Sequence, residues 1–296
     1  MNEKTSEKQR WAFFRGCLIP IKLPHLEACA RQVFPSLGIE LVDFDFTCCP
    51  PTAVRDADEF KWLTIAAQNL ALAERAGLDI LTICNGCSQT LIEANHILTT
   101  NSDTLSKVNA RLERVGLKYD GNVKVKHFLM VLHGMEERIK SSVKAPLRGF
   151  KVAAHPGCHI LRPSEIIQFD DAERPVKLDQ MISWLGASPV DYDLKALCCG
   201  QSFLPIDRRA CYRVMADKLK QVKGADCLTT GCPMCFQQFD FNQKVMGLGF
   251  DVPVYTPVLF YPQLLGLAQG RSLEDVGWSF HKVKSEKLER FFSERE

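Results

Sequence analysis

The sequence predicts an α/β protein made of two similar halves, residues 1–148 and 149–296, each with its own parallel sheet. Three observations predict it: a cysteine pattern used twice, short apolar runs that end just before those cysteines, and helical stretches between the runs. The length agrees, because 296 residues suit two domains of about 150 residues each.

In the first half, Trp11 to Phe14 is an apolar run that ends in Arg15-Gly16-Cys17, a strand entering a turn. A helical pattern covers Leu23 to Phe34. Glu40 to Phe46 alternates Leu41, Asp43 and Asp45 against Val42, Phe44 and Phe46, and it runs into Cys48-Cys49 before Pro50-Pro51. A long helix is expected from Asp58 to Arg75, with Gly77 as its stop. Asp79 to Ile83 is a third strand leading straight into Cys84, and a helix should begin after Cys87. The second half repeats the order: Phe150 to Ala154 leads to Cys158, Pro189 to Tyr192 precedes Cys198-Cys199, and Cys227 to Thr230 leads to Cys232. Strands alternating with helices argue for parallel sheets. Every cysteine of the pattern then falls just beyond the carboxyl end of a strand, where open α/β sheets place their ligands.

Composition narrows the classes of function. A formal net charge of +2 gives no global field for nucleic acid or an anionic membrane. Met1 to Arg10 is polar and charged, without the apolar core of a secretory signal. The most apolar late stretch, Val254 to Leu267, is broken by Pro257 and Pro262 and falls short of the roughly 20 apolar residues a spanning helix needs. The expectation is a soluble, cytoplasmic protein without a membrane span. Thirteen cysteines are out of place in such a chain as disulfides, because the cytosol keeps thiols reduced. Clustered there, they read as metal or redox sites.

Ten of the thirteen fall into two sets of five. The first is Cys17, Cys48, Cys49, Cys84 and Cys87, and the second is Cys158, Cys198, Cys199, Cys232 and Cys235. Both read C…CC…CxxC, with corresponding members 141, 150 and 148 residues apart. A repeat this long means duplicated domains, since solenoid periods are roughly 20–50 residues. Cys29, Cys211 and Cys227 have no such counterparts and read as packing residues.

A single CxxC is ambiguous between zinc, an iron–sulfur cluster and a redox dithiol. Structural zinc takes four ligands, whereas five are offered here. Adjacent side chains diverge in an extended strand, so a vicinal pair suits one small ion poorly but can reach different atoms of a polynuclear cluster. A cubane takes four thiolates, so five suggest a cluster of atypical shape. Zinc in one half, or a dithiol without metal, is the alternative.

The repeated C…CC…CxxC element resembles the cysteine-rich CCG domain, and the chain resembles the catalytic B subunit of heterodisulfide reductases. The likeness is carried by residues 12–17 (Ala-Phe-Phe-Arg-Gly-Cys) with Pro20, residues 62–67, Thr82-Ile83-Cys84-Asn85-Gly86-Cys87 and residues 93–98. In the second half it is carried by His155-Pro156-Gly157-Cys158-His159, Arg162-Pro163-Ser164 and residues 170–175. It runs from about Trp11 to Leu267 and includes all ten cysteines. The motif is specific to the domain family and less so to substrate, because CCG domains also occur in lactate, glycolate and glycerol-phosphate oxidoreductase subunits. The resemblance implies two Rossmann-like halves related by a pseudo-twofold, each with a CCG site for a noncubane [4Fe–4S] cluster. It implies a disulfide held between the clusters, electrons from a ferredoxin-like iron–sulfur partner subunit of the C type, and a flavin subunit of the A type upstream of it. After Cys198-Cys199-Gly200 the chain has Gln201-Ser202-Phe203, where many relatives carry further glycines, so the substrate wall is expected to differ there.

His155 and His159 flank Cys158 and could donate hydrogen bonds to a cluster or a substrate sulfur; the bland reading is a pair of polar loop residues. His127 and His133 fall in the linker region and read as structural. Arg15, Lys22 and Arg162 lie near the first cysteine of each set and could bind an anionic head group, although ordinary surface charge is the rival reading. Lys282 to Glu296 reads as an amphiphilic helix or a frayed end. The leading expectation is a subunit that reduces or forms a disulfide. The rivals are an electron-transfer subunit whose clusters never meet substrate, and a metal-stabilised scaffold with zinc.

Overall fold

A computed structural model describes residues 9–246 and 256–294. Two four-stranded sheets carry the chain. The first has the order β2-β1-β3-β4, from β1 (Gln9–Phe14), β2 (Ile39–Val42), β3 (Ile80–Thr82) and β4 (Val125–His127). The second has the order β6-β5-β7-β8, from β5 (Lys151–His155), β6 (Ser188–Val190), β7 (Cys227–Thr230) and β8 (Val258–Phe260). Every pairing is parallel, and the two orders are the same. The central strands explain their sequences: Trp11 to Phe14 and Cys227 to Thr230 are buried throughout, as strands must be when helices cover both faces of a parallel sheet.

Helices connect the strands. In the first half they are α1 (Leu18–Lys22), α2 (Pro24–Val33), α3 (Thr52–Ala57), α4 (Glu59–Arg75), α5 (Asn85–Thr100), α6 (Ser102–Leu112), α7 (Phe128–His133) and α8 (Glu136–Ser142). In the second half they are α9 (Ser164–Ile167), α10 (Lys177–Trp184), α11 (Arg208–Gln221), α12 (Pro233–Gln237), α13 (Gln243–Met246), α14 (Tyr261–Ala268) and α15 (Glu286–Ser293). Asp58 caps α4 by accepting from Lys61 N, and Asp207 caps α11 by accepting from Arg209 N and Ala210 N, as short acceptors at the N-cap do.

The halves trade helices. Gly266 of α14 faces Val33 of α2, while His133 at the end of α7 bonds Gln180 of α10 at 2.9 Å and packs on Trp184. The helix after the fourth strand of each half thus covers the helix after the first strand of the other. Phe128, which opens α7, and Phe260, the last residue of β8, pack between the halves with centroids 5.3 Å apart.

Several expectations shift. The strand read over 40–46 stops at Val42, because Phe44 stacks on Phe46 and Phe46 packs on Phe14 in the loop that follows. The strand read over 189–192 is Ser188–Val190. The helix placed after Cys87 begins at Asn85, so Cys87 lies in its first turn. The linker reading of His127 is corrected: it ends β4, is fully buried, and bonds Gly231 O at 3.1 Å. Residues 1–8, 247–255 and 295–296 lie outside the described residues, and with them go parts of the N-terminal segment, the late apolar stretch and the tail. Among those described, no helix is long and apolar enough to cross a membrane.

Candidate iron–sulfur site

Strand register places the cysteines. Phe14 is level with Thr82, so Cys17 and Cys84 leave the same end of the first sheet. His155 is level with Thr230, which does the same for Cys158 and Cys232. Gly16 and Gly157, each just before the first cysteine of a set, have φ of +70° and +88°. A Cβ at Gly16 would stand 2.9 Å from Cys87 Sγ, and one at Gly157 would stand 2.4 Å from Asn85 Nδ2. Glycine is required there both by the backbone and by the approach of the site.

All ten patterned cysteines line one cavity of about 320 Å³, and their sulfurs form an unbroken row. In the first half Cys17 meets Cys48 at 3.6 Å, Cys48 meets Cys49, Cys49 meets Cys87 at 2.8 Å, and Cys87 meets Cys84. In the second half Cys158 meets Cys198, then Cys199, Cys235 and Cys232 follow in the same order. Cys84 donates to Cys232 and joins the two. The divergence expected of adjacent side chains is not seen in the first pair: Cys48 is exposed and Cys49 buried, yet their thiols meet.

Crowded thiols must share protons. Hydrogen bonds from Cys48 and Cys87 push Cys49 down to about 4, while donating to Cys49 pushes Cys48 and Cys87 up. Cys198 is likewise held low by Cys158 and Cys199, and Cys232 by Cys235 and Cys84. A bound cation takes the place of those protons, because a coordinating thiol is deprotonated outright. The donor set is sulfur from five cysteines per half, with no carboxylate lining the cavity among the described residues. That chemistry fits iron–sulfur clusters. Each CxxC also opens a helix, α5 or α12, whose N-terminus favours negative charge.

The other candidates separate. Arg15 lines the cavity and pairs with Glu27 at 3.5 Å. Lys22 is exposed at the end of α1 and does not line it. Arg162 is spent on Ala196 O, Ala172 O and Glu173, away from the cavity. His159 lines the cavity and leans on the opposite half, with Nδ1 beside Gly86. His155 lies behind the wall: it is fully buried, its Nδ1 faces Lys218 Nζ at 3.2 Å, and burial holds it well below the usual imidazole range. Cys29, Cys211 and Cys227 are buried outside the row, and burial pushes the Cys29 thiol up to about 12.

Sequence reasoning missed Asn85 and Lys218. Asn85 bonds Pro156 O at 2.7 Å across the halves; within a CxxC it reads as a turn residue. Lys218 is 1% exposed, yet in a helix as charged as α11 it reads as solvated. The one-turn π segment Gln238–Asn242 after α12 was also missed. It lets Asn242 hold Gln201, a wall residue, at 2.8 Å.

With that geometry in place, comparison with known proteins is direct. The cysteine-rich domain (CCG) family matches residues 11–92 and 152–240, once in each half. The B subunit of the ferredoxin/F420H2-dependent CoB-CoM heterodisulfide reductase of Methanosarcina acetivorans is 35% identical over 274 residues, 90% of this chain and 91% of that one. The 8-methylmenaquinol:fumarate reductase membrane anchor subunit of Wolinella succinogenes is 30% identical over 95% of this chain and 99% of its own. A crystal structure of a hypothetical protein from Helicobacter pylori superposes with a TM-score of 0.73 at 17% identity, over 94% of this chain and 53% of its own. The chain thus spans about half of that solved protein, and the likeness is one of fold. Two CCG matches on two like sheets, with this identity along nearly the whole length, show that the chain belongs to the cysteine-rich CCG proteins, in the family of heterodisulfide reductase B subunits.

Proposed function

We propose that each five-cysteine set holds a [4Fe–4S] cluster of noncubane shape and that a disulfide is reduced, or formed, in the cavity between them. The observation that carries this reading is the shared cavity: all ten thiols line one space, and Cys84 touches Cys232 across its middle. Bound there, two such clusters supply or accept the two electrons that convert a disulfide and two protons into two thiols. The chain contributes position and polarity. Cys17 and Cys48 stand at the exposed end of the row. Among the described residues Arg15 offers the one permanent charge on the wall, and Gln89, Thr90 and Gln201 offer hydrogen bonds. An anionic substrate head group would meet Arg15, and His159 is the wall residue that can carry a proton to a departing thiolate. A ferredoxin-like iron–sulfur subunit and a flavin subunit would deliver or remove the electrons.

The test is anaerobic reconstitution of the full chain with iron and sulfide analysis, followed by EPR with added thiols. Two four-iron clusters imply roughly eight irons per chain; about half of that with zinc present would put zinc in one half. Thiol-induced change in the EPR signals is expected if substrate meets the clusters. The 30% identity to a fumarate reductase subunit favours a second reading, a subunit that only relays electrons, and unchanged signals with every thiol would select it.

A further inference from the structure

Asn69 and Lys218 hold the same place in the two halves. Each lies on the long helix that follows the adjacent cysteine pair, α4 or α11, and each reaches back to the residue just before that pair. Asn69 Oδ1 accepts from Thr47 N at 2.9 Å, and Lys218 Nζ donates to Leu197 O at 2.9 Å. Phe14 and His155 correspond as well, being the last residues of β1 and β5, level with Thr82 and Thr230. Where the first half has a neutral amide and a phenyl ring, the second has a cation and an imidazole in contact at 3.2 Å.

The partners of Lys218 fix the protons. Its Nζ meets Leu194 O, Leu197 O and His155 Nδ1, with Lys195 O at 3.5 Å. The three carbonyls alone outnumber the two N–H groups of an amine and suit the three of an ammonium. Burial pushes Lys218 down to about 8, which still leaves it an ammonium at neutral pH. The Tyr192 ring lies 5.6 Å away and helps to seal the charge in. Neighbouring Asp179 and Asp191 are taken by Lys195, so among the described residues Lys218 has no carboxylate partner and its charge is met by carbonyl dipoles. An ammonium cannot accept, so His155 Nδ1 accepts and the ring proton sits on Nε2. Nε2 is buried without a protein partner among the described residues, and a ring nitrogen of His155 lies within 4.8 Å of Cys199 and Cys235 Sγ. Phe14 offers the first set no donor and packs on Phe46 at 5.0 Å.

We propose that Lys218 and His155 make the second five-cysteine site the more easily reduced of the two, with His155 Nε2 donating to a ligand sulfur of Cys199 or Cys235. Lys218 acts as a positioning residue that fixes the ring tautomer and adds a buried positive charge. The inference rests on the reading that both sets hold clusters. Hydrogen bonds to sulfur and net positive charge both raise a cluster's reduction potential. The buried donor and the buried cation stand on the second side, whereas the charges near the first set are Arg15, partly exposed and paired with Glu27, and His159 beside Cys49, which water screens more strongly. An electron entering at either site therefore settles at the second.

The experiment is a redox titration followed by EPR on the reconstituted full chain, with Cys198→Ser used to assign the second site's signal. Two centres are expected, the second at the higher potential. In Lys218→Met and in His155→Phe, the second centre should move to lower potential while the first stays. His155→Gln, which keeps an N–H, should move it less. A second centre level with or below the first in the wild-type chain overturns the proposal, and so does an unmoved second centre in a variant with full iron content. If both variants fail to fold, the wild-type order decides. Fewer irons than one cluster accounts for would instead overturn the two-cluster reading itself.

Discussion

Asn85 Nδ2 donates to Pro156 O at 2.7 Å, so a residue inside the first CxxC holds the loop that presents the first cysteine of the second set. The Asn85 backbone N–H also donates to Cys232 Sγ, helping to hold that thiol low. Asn85→Leu roughly keeps the volume and keeps the backbone bond but removes the side-chain donor. A buried carbonyl left unsatisfied costs about 1–3 kcal/mol, to be read by urea denaturation, with weaker cluster retention at the second site in EPR.

Gly157→Ala should be worse than its chemistry suggests. Its φ is +88°, and the new Cβ would sit 2.4 Å from Asn85 Nδ2 and 3.6 Å from Cys235 Sγ. Gly149 has φ +82° with nothing within 4 Å of a built Cβ, so Gly149→Ala is the control for backbone strain alone, about 1 kcal/mol. Thermal denaturation of both should show the excess at Gly157.

Cys29→Ala and Cys49→Ala separate packing from ligation. Cys29 is fully buried outside the row, whereas Cys49 sits within it, 2.8 Å from Cys87 Sγ. Losing one buried sulfur, Cys29→Ala should cost about 1 kcal/mol and leave the iron content intact. Cys49→Ala should lose iron from the first site while the second keeps its EPR signal.

Acid should destabilise the protein early. His25 and His281 pack among Phe236, Phe280 and Trp278. Burial, with Lys282 adding to it, pushes His25 down to about 4, and burial with His25 holds His281 well below its ordinary value. A folded-state value below the unfolded one means that the unfolded chain binds more protons between the two. The contribution of these groups is therefore complete above about pH 6.5 and falls as pH drops toward 4, by about 1.4 kcal/mol per unit for each. Nearby Asp240, pushed up by burial, opposes the trend at the acid end. Melting temperatures from pH 7.5 to 4.5 should fall, and His25→Phe should flatten the slope.

The site is legible in the sequence because ligand spacing is covalent information: two sets in one order can be read without coordinates. The strands that deliver Cys17, Cys84, Cys158 and Cys232 are legible too, as apolar runs ending at cysteines. The fourth strands are not. Val125–His127 and Val258–Phe260 are three residues each, too short to show a period. Phe44 and Phe46 alternate as a strand would, but their rings stack on each other and reach Phe14 instead. Nothing in residue spacing tells that both sets face one cavity, since that depends on how the sheets dock. The contrast between Lys218 and Asn69 is hidden for a related reason: it shows only when two helices are compared by what their side chains reach.

The exchange of α7 and α14 between the halves carries a historical consequence. A lone half would leave the outer face of α2 or α10 bare to water, and a second copy of itself would supply the missing cover. Two identical chains could therefore build the same row of sulfurs about a Cys84–Cys232-like centre, but its two ends would be forced to be alike. In one chain that constraint is absent, and Phe14 differs from His155 and Asn69 from Lys218. Fusion is what allows a symmetric scaffold to acquire a direction.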